Sequence, residues 1–219
     1  SSFFSCIFID LNLDNQLVII NTPKNNKFLA VVDIDKEFTT NEGKFKFSQI
    51  KNIPSLVKVS TGVDFKIYKP SYKEFVLLMK RGPQIIYPKD VAQIVLESNI
   101  HNSSKVLEIG SGSGALTLYL YSLLKNTGRL FSLDSSRINQ RRADKTIARY
   151  LSLLSEENNA VTFINEELAN FDYKNLIEKI DAIITDVPEP WEFFIKNKIE
   201  NSINWVSYLP SMTQVMRMS

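Results

Sequence analysis

The chain has 219 residues, of which 44% are hydrophobic and 23% charged; this globular balance excludes a disordered chain and allows one large domain or a medium and a small one. The lone Cys6 and lone His101 exclude an internal disulfide framework, a cysteine-based zinc site and a multi-histidine metal site, so no metal is expected. The net charge is +2, with ten lysines against eight acids in residues 1–75 and sixteen of each sign thereafter; bulk charge names no partner, and any nucleic-acid contact must come from local patches.

The longest apolar runs, such as Leu17–Ile20 and Phe75–Met79, are far shorter than a membrane span. The run Phe3–Ile9 lacks a basic flank and a small-residue cleavage site, so no signal peptide is read and the cytoplasm is the default compartment. Residues 1–74 read as a small all-β module, a β-barrel-like or curled sheet. Short β-branched and aromatic runs recur at Cys6–Ile9, Gln16–Ile20, Phe28–Val32, Lys44–Phe47 and Val63–Tyr68, separated by turn-formers such as Asp14-Asn15 and Asn41-Glu42-Gly43. This module carries no evident chemistry and reads as an accessory.

From about Phe75 strands alternate with helices, and residues 75–219 read as a second domain. Pro88 suits the first turn of a helix through Val91, Ile94 and Val95. His101 falls in a polar loop. Lys105–Ile109, Arg129–Leu133, Val161–Ile164, Asp181–Thr185 and Trp205–Leu209 read as strands; Ala115–Leu124 and Ser136–Leu154 read as helices. That alternation predicts a doubly wound parallel sheet.

Three of the seven glycines, Gly110, Gly112 and Gly114, lie within five residues between the first of these strands and the helix at Ala115. A strand, glycine turn and helix let a ligand approach the backbone beside a helix N-terminus. Asp134 ends the next strand, where an acid accepts hydrogen bonds from ribose hydroxyls. The same turn satisfies the loose dinucleotide pattern. Glu108, two residues before the first glycine, repels pyrophosphate and suits a ligand with ammonium and sulfonium groups, which favours S-adenosylmethionine over a dinucleotide. A second candidate site is Asp186-Val187-Pro188-Glu189-Pro190-Trp191, where an apolar strand ends in an acid and a proline-stiffened loop. Arg137, Arg141, Lys145 and Arg149, with Arg142 beside them, make a cationic stripe, read either as a solvated helix face or as a surface for RNA phosphates. Lys80-Arg81 is another basic patch.

Four blocks carry a resemblance: Arg81-Gly82-Pro83-Gln84-Ile85-Ile86-Tyr87-Pro88-Lys89-Asp90; Glu108 to Thr117; Asp186 to Trp191; and Tyr208 to Gln214. From about Phe28 onward the chain resembles the tRNA (adenine-58-N1)-methyltransferases, in particular their bacterial homotetrameric branch. The glycine block is shared by many methyltransferases, whereas the first and third blocks together are specific. The resemblance implies a class I methyltransferase domain with a Rossmann-like doubly wound sheet, preceded by a small all-β domain. It further implies methyl transfer from S-adenosylmethionine to N1 of adenine 58 in the T-loop of tRNA. By match to the family, Gln84, Glu108, Gly110, Gly112, Ser113, Gly114, Ala115, Asp134 and Glu167 bind the cofactor, with Glu166 one residue away as a substitute for Glu167. Asp186 is the active-site acid and also a cofactor neighbour, and Arg81, Tyr87 and Pro188 meet the substrate. The family usually has a histidine near Asn41 and a Gly-Gly turn where Asn201-Ser202-Ile203-Asn204 stands. Competing readings are a methyltransferase of the same fold acting elsewhere on RNA or on protein, a non-catalytic tRNA-binding subunit, and a dinucleotide oxidoreductase. Against the family the chain is short, and the expectation is a fragment lacking two edge strands, roughly 50 residues at usual strand and loop lengths.

Overall fold

The computed structural model describes residues 13–79, 85–152, 160–176, 179–199 and 202–218, and the chain divides into two compact units, Ser1–Met79 and Lys80–Ser219. The strand expected at Cys6–Ile9 lies outside the described residues.

The first unit contains β1 (Leu17–Asn21), β2 (Lys27–Val31), β3 (Glu37–Thr40), β4 (Gly43–Lys46), β5 (Ser55–Lys58), β6 (Asp64–Tyr68) and α1 (Tyr72–Leu78). Four strands form an antiparallel sheet in the order β2-β1-β6-β5, and β3 pairs with β4 as a separate hairpin. Alternation drives the packing: in β6, Phe65 and Ile67 are fully buried while Asp64 and Lys66 are exposed. Val18, Ile20, Phe45, Phe47, Val57 and Phe65 share one core. Within it Phe45 meets Phe47 and Phe65 edge-on, at centroid distances of 5.6 and 6.2 Å, the arrangement that aromatic quadrupoles prefer.

Helix α1 lies against β2 and belongs to this unit, whereas the sequence pattern places the change at 74/75. Glu74 holds the helix there. Its Oε2 accepts from the Ser71 N–H and hydroxyl, at 3.2 and 2.9 Å, completing a capping box. Its Oε1 accepts from Lys27 Nζ at 2.6 Å and the Tyr68 hydroxyl at 2.9 Å. One carboxylate thus ties α1 to β2 and β6.

The second unit contains α2 (Pro88–Glu97), β7 (Lys105–Ile109), α3 (Ala115–Leu124), β8 (Arg129–Leu133), α4 (Arg137–Leu151), β9 (Val161–Ile164), β10 (Ala182–Thr185), α5 (Trp191–Lys196), β11 (Asn204–Ser207) and α6 (Met212–Met218). Pro88 is the first residue of α2, as expected. The five strands form a parallel sheet ordered β11-β10-β7-β8-β9, the doubly wound arrangement read from the sequence. Neighbouring residues feed opposite faces. Val106, Leu130 and Ile184 pack with α2 and α3, while Leu107, Phe131 and Ile183 pack with Phe171, Tyr173 and Phe193. Burial on both faces explains why these strands are mainly apolar. The chain leaves β7 toward β8 and β9, then returns to add β10 and β11 on β7's other side. The carboxyl ends of β7 and β10 therefore flank the switch point, where ligands bind in such sheets.

Burial opposes ionisation of Glu74, but the hydrogen bonds from Lys27, Ser71 and Tyr68 outweigh it and hold its pKa at about 2, below the usual 4.5. A depressed pKa contributes stability above the unfolded value, and that contribution is lost as pH falls through the folded one. Glu74→Ala is therefore expected to unfold at lower temperature than wild type at pH 7. The gap should shrink as pH drops from about 4.5 toward 2; circular dichroism melts across that range check it, and a pH-independent gap would contradict the tie.

Candidate active site

The turn after β7 is built by what its glycines allow. Gly110 sits at φ +102°, and a Cβ there would lie 2.3 Å from the Asp186 carbonyl oxygen. Only glycine admits that approach of the turn to the end of β10. Gly112, at φ +51°, has nothing within 4 Å of where a Cβ would stand, so its backbone is open to a ligand. Gly114 lets the start of α3 close on α4, since its Cβ would lie 2.6 Å from Ala143 Cα. Ser113 and Ala115 are buried; the Ala115 N–H donates to Ser113 Oγ at 3.3 Å, and Thr146 Oγ1 donates to the Ser113 carbonyl at 3.0 Å.

Glu108 is fully buried beneath this turn. Thr117 Oγ1 donates to its Oε1 at 3.0 Å and Ser132 Oγ to its Oε2 at 2.6 Å. Ser132 Oγ also lies 2.7 Å from Ser111 Oγ. The carboxyl group is thereby linked through β8 to the glycine turn itself. Burial pushes its pKa up to about 8; the two hydroxyls oppose the rise, and the charges of Asp186 and Asp134 add to it. At pH 7 the group is mostly neutral, whereas the sequence argument treated it as a charge.

Asp134, at the end of β8, is held from three sides. The Ser136 N–H donates to Oδ1 at 2.8 Å, the Gly112 N–H to Oδ2 at 3.2 Å, and Asn139 Nδ2 to Oδ2 at 3.3 Å. Asp134 lines a cleft of about 200 Å³ with apolar walls from Ile109, Leu133, Leu168 and Val187. Glu166, Glu167, Pro188 and Glu189 of the proline loop line it too, together with Glu192, which lies outside the motifs of the sequence.

Asp186 follows β10, its N–H donating to the Ile109 carbonyl at 2.8 Å. Among the described residues no donor reaches its carboxylate. Burial alone raises its pKa to about 6. Tyr208, just beyond β11, donates its N–H to the Thr185 carbonyl at 2.8 Å. Its hydroxyl pKa is raised by burial and then by Asp90 and Asp186, which places α2, β10 and β11 in one electrostatic neighbourhood. Gln214 Nε2 donates to the Pro188 carbonyl at 3.0 Å, and the Arg217 guanidinium stands 5.5 Å from the Trp191 ring centroid. Helix α6 thus holds the proline loop. Asp90 and Gln214 had no assigned role in the sequence; both lie in the quoted blocks, as does Tyr208, and that was the available signal.

Tyr87 is 42% exposed and caps α2 without lining the cleft. Arg81, Gln84 and the Lys80-Arg81 patch lie outside the described residues. His101 is exposed, with Nδ1 3.0 Å from Ser103 Oγ. Among the described residues no cluster of three or more His, Cys, Asp or Glu is placed to hold a metal, and no helix is long and apolar enough to cross a membrane.

A glycine turn after the sheet's central strand, an acid after its neighbour and a free carboxylate across the switch point define a class I methyltransferase fold. The solved structure of an S-adenosylmethionine-dependent O-methyltransferase from Thermotoga maritima superposes with a TM-score of 0.81 at 22% identity, covering 94% of this chain and 76% of that one. The tRNA (m1A58) methyltransferase TrmI of Aquifex aeolicus gives 0.75 at 27% identity, covering 94% and 78%. The family model described as tRNA methyltransferase complex GCD14 subunit matches residues 67–219, and the chain belongs to that family. The chain is 26% identical to the tRNA (adenine(58)-N(1))-methyltransferase TrmI of Thermus thermophilus over 165 residues, which cover 74% of this chain and 62% of that protein. The chain thus matches less than two thirds of that relative's length. Against the Methanocaldococcus jannaschii tRNA (adenine(57)-N(1)/adenine(58)-N(1))-methyltransferase TrmI the identity is 26% over 224 residues, covering 86% and 77%.

A raised acid pKa makes folding most favourable with the proton on, and that advantage is lost as pH rises from the unfolded value through the folded one. Glu108→Gln keeps the shape without the titration. The variant is expected to gain stability over wild type progressively between about pH 4.5 and 8. Denaturant midpoints at intervals across that range measure the gain; a constant difference would remove the titrating group from the account.

Proposed function

We propose that the chain transfers a methyl group from S-adenosylmethionine to N1 of adenine 58 in tRNA. The observation that carries this reading is the Asp186 carboxylate, partly buried, without a donor among the described residues, and joined at its backbone to the glycine turn. A partly buried carboxylate that no described side chain engages is left available to a hydrogen-bond donor on a ligand. The exocyclic amino group of adenine is such a donor, beside the N1 lone pair that must be aligned.

The residues present fit the methyl donor. The open backbone at Gly112 gives room for close approach, and Asp134, held beside it by the Gly112 N–H, accepts from the ribose hydroxyls in this reading. Carboxylates around the cleft suit a cationic ligand rather than a pyrophosphate. When bound, S-adenosylmethionine supplies an electrophilic methyl on a sulfonium. The in-plane lone pair of adenine N1 needs no base to expose it, so the protein's task is alignment. Asp186 orients the ring through its amino group and, when ionised, favours the positive charge that develops on the base. Val187 and Leu168 exclude water from that side of the cleft. The target adenine must leave the T-loop to reach Asp186; Tyr87, exposed beside the first turn of α2, offers a stacking face. Glu167 stands for the acid near the cofactor's adenine and Gln84 for the block that closes over the cofactor, while Arg81 and Pro188 meet the substrate. A homotetramer and a cytoplasmic location belong to the same proposal.

With its pKa near 6, Asp186 is ionised at neutral pH, and turnover should fall as pH drops through about 6. Asp186→Ala is expected to bind S-adenosylmethionine like wild type by calorimetry yet lose about a hundredfold or more in turnover. Mapping the methylated nucleotide after incubation with unmodified tRNA tests the substrate. Methylation at another position would assign the fold to a different target, and a fully active Asp186→Ala would take the acid out of the mechanism.

A further inference from the structure

The cations of α4 form an unneutralised surface. Ala143, Ile147 and Leu151 are buried on one side of the helix. Arg137, Arg141 and Lys145 are exposed, and Arg142 and Arg149 partly so. At 3.6 residues per turn all five fall within an arc of about 140° opposite the buried stripe. Asp144 is the helix's only acid. Among the described residues none of the five makes an ion pair. Arg137 Nε donates to Asn165 Oδ1 at 2.9 Å and Arg142 Nη1 to Asn139 Oδ1 at 3.3 Å, both neutral partners. Like charges four residues apart destabilise a helix, and nothing described on this unit offsets them. The concentration is not compositional, since residues 76–219 hold equal numbers of each sign.

The acids have gathered elsewhere. Asp134, Glu166, Glu167, Glu189 and Glu192 line the cleft beyond the ends of β7 and β8, so phosphates are repelled there. An RNA held by its backbone needs its cationic support outside that cleft. Helix α4 begins three residues after Asp134, with Ser136 capping it, and runs about 22 Å away. Its stripe leads outward from the rim.

We propose that the exposed face of α4 binds the phosphate backbone of the substrate RNA while the base is in the cleft; this rests on the reading of the chain as an RNA methyltransferase. Arg141 and Lys145, both exposed and without a side-chain partner among the described residues, form the centre of the contact. Arg137 and Arg149 extend it at one-turn spacing, and the neutral bonds to Arg137 and Arg142 leave their charge available to a phosphate.

The test is a double variant of the full chain, Arg141→Gln with Lys145→Gln, titrated with unmodified tRNA at several salt concentrations. Two lost phosphate contacts should lower the slope of log K against log salt by about 1.4 to 1.8 and weaken low-salt binding about tenfold or more. Calorimetric binding of S-adenosylmethionine should stay at the wild-type value, and the melting temperature should not fall, since the variant relieves repulsion along the helix. An unchanged slope overturns the proposal. So does a wild-type slope accompanied by lost self-association in sedimentation, which would give the face to a second copy of the chain. A wild-type chain that methylates a different nucleotide overturns the adenine-58 reading alone, because the slope comparison between wild type and variant stands without it.

Discussion

The carbonyl of Asp186 comes so close to Gly110 that any side chain there would collide with it, and the site depends on that approach. The Asp186 N–H closes the contact from the other direction by donating to Ile109. Two segments far apart in sequence are thereby locked at the one point of the sheet where the strand order reverses. The glycine turn and the acid at the end of β10 become a single rigid piece. For the proposed in-line methyl transfer, which depends on alignment, rigidity at this junction matters more than any one contact to a ligand.

A second layer of support lies under the turn and beyond the loop. The hydroxyls of Ser111, Ser132 and Thr117 meet at Glu108, so β7, β8 and α3 share one buried polar cluster. On the other side α6 reaches back to the proline loop through Gln214 and Arg217. The segment from Asp186 to Trp191 is held at its start by β7 and along its length by α6, with Pro188 and Pro190 limiting its backbone between. Loop stiffness here comes from both ends.

Much of this was legible in the residues. The mainly apolar strands Lys105–Ile109 and Arg129–Leu133, and the helix Ala115–Leu124, occupy the residues read from the pattern, because burial on two faces leaves an unambiguous signature. The β3 and β5 strands were not legible. Glu37–Thr40 and Ser55–Lys58 carry few apolar residues, and Leu56 is 65% exposed, so their pairing comes from neighbours rather than from pattern. The α5 helix was hidden by the prolines before it, which read as loop. In the site, the glycines and the acids Asp134 and Asp186 stood out because backbone conformation and strand ends announce themselves. The electrostatic influence of Asp90 and Asp186 on Tyr208 did not, since it depends on how β11 lies beside β10. The protonation of Glu108 was invisible too: a sequence shows that a carboxyl is present but not that burial neutralises it.

That protonation changes the charge argument for the site. Glu108, Asp134 and Asp186 lie near one another, and the latter two raise the cost of ionising the first. Three charges in one partly dry region would repel strongly. The environments resolve the conflict by separating two of the groups: Glu108, sealed and near pH 8, keeps its proton, while Asp186, near 6 and open to the crevice, gives its proton up. At neutral pH Asp186, rather than Glu108, therefore carries negative charge beside the turn. The acid two residues before the first glycine favours a cationic ligand only indirectly. It builds the floor of the turn as a neutral group, and in the proposed reaction the charge beside the methylated base is left to Asp186.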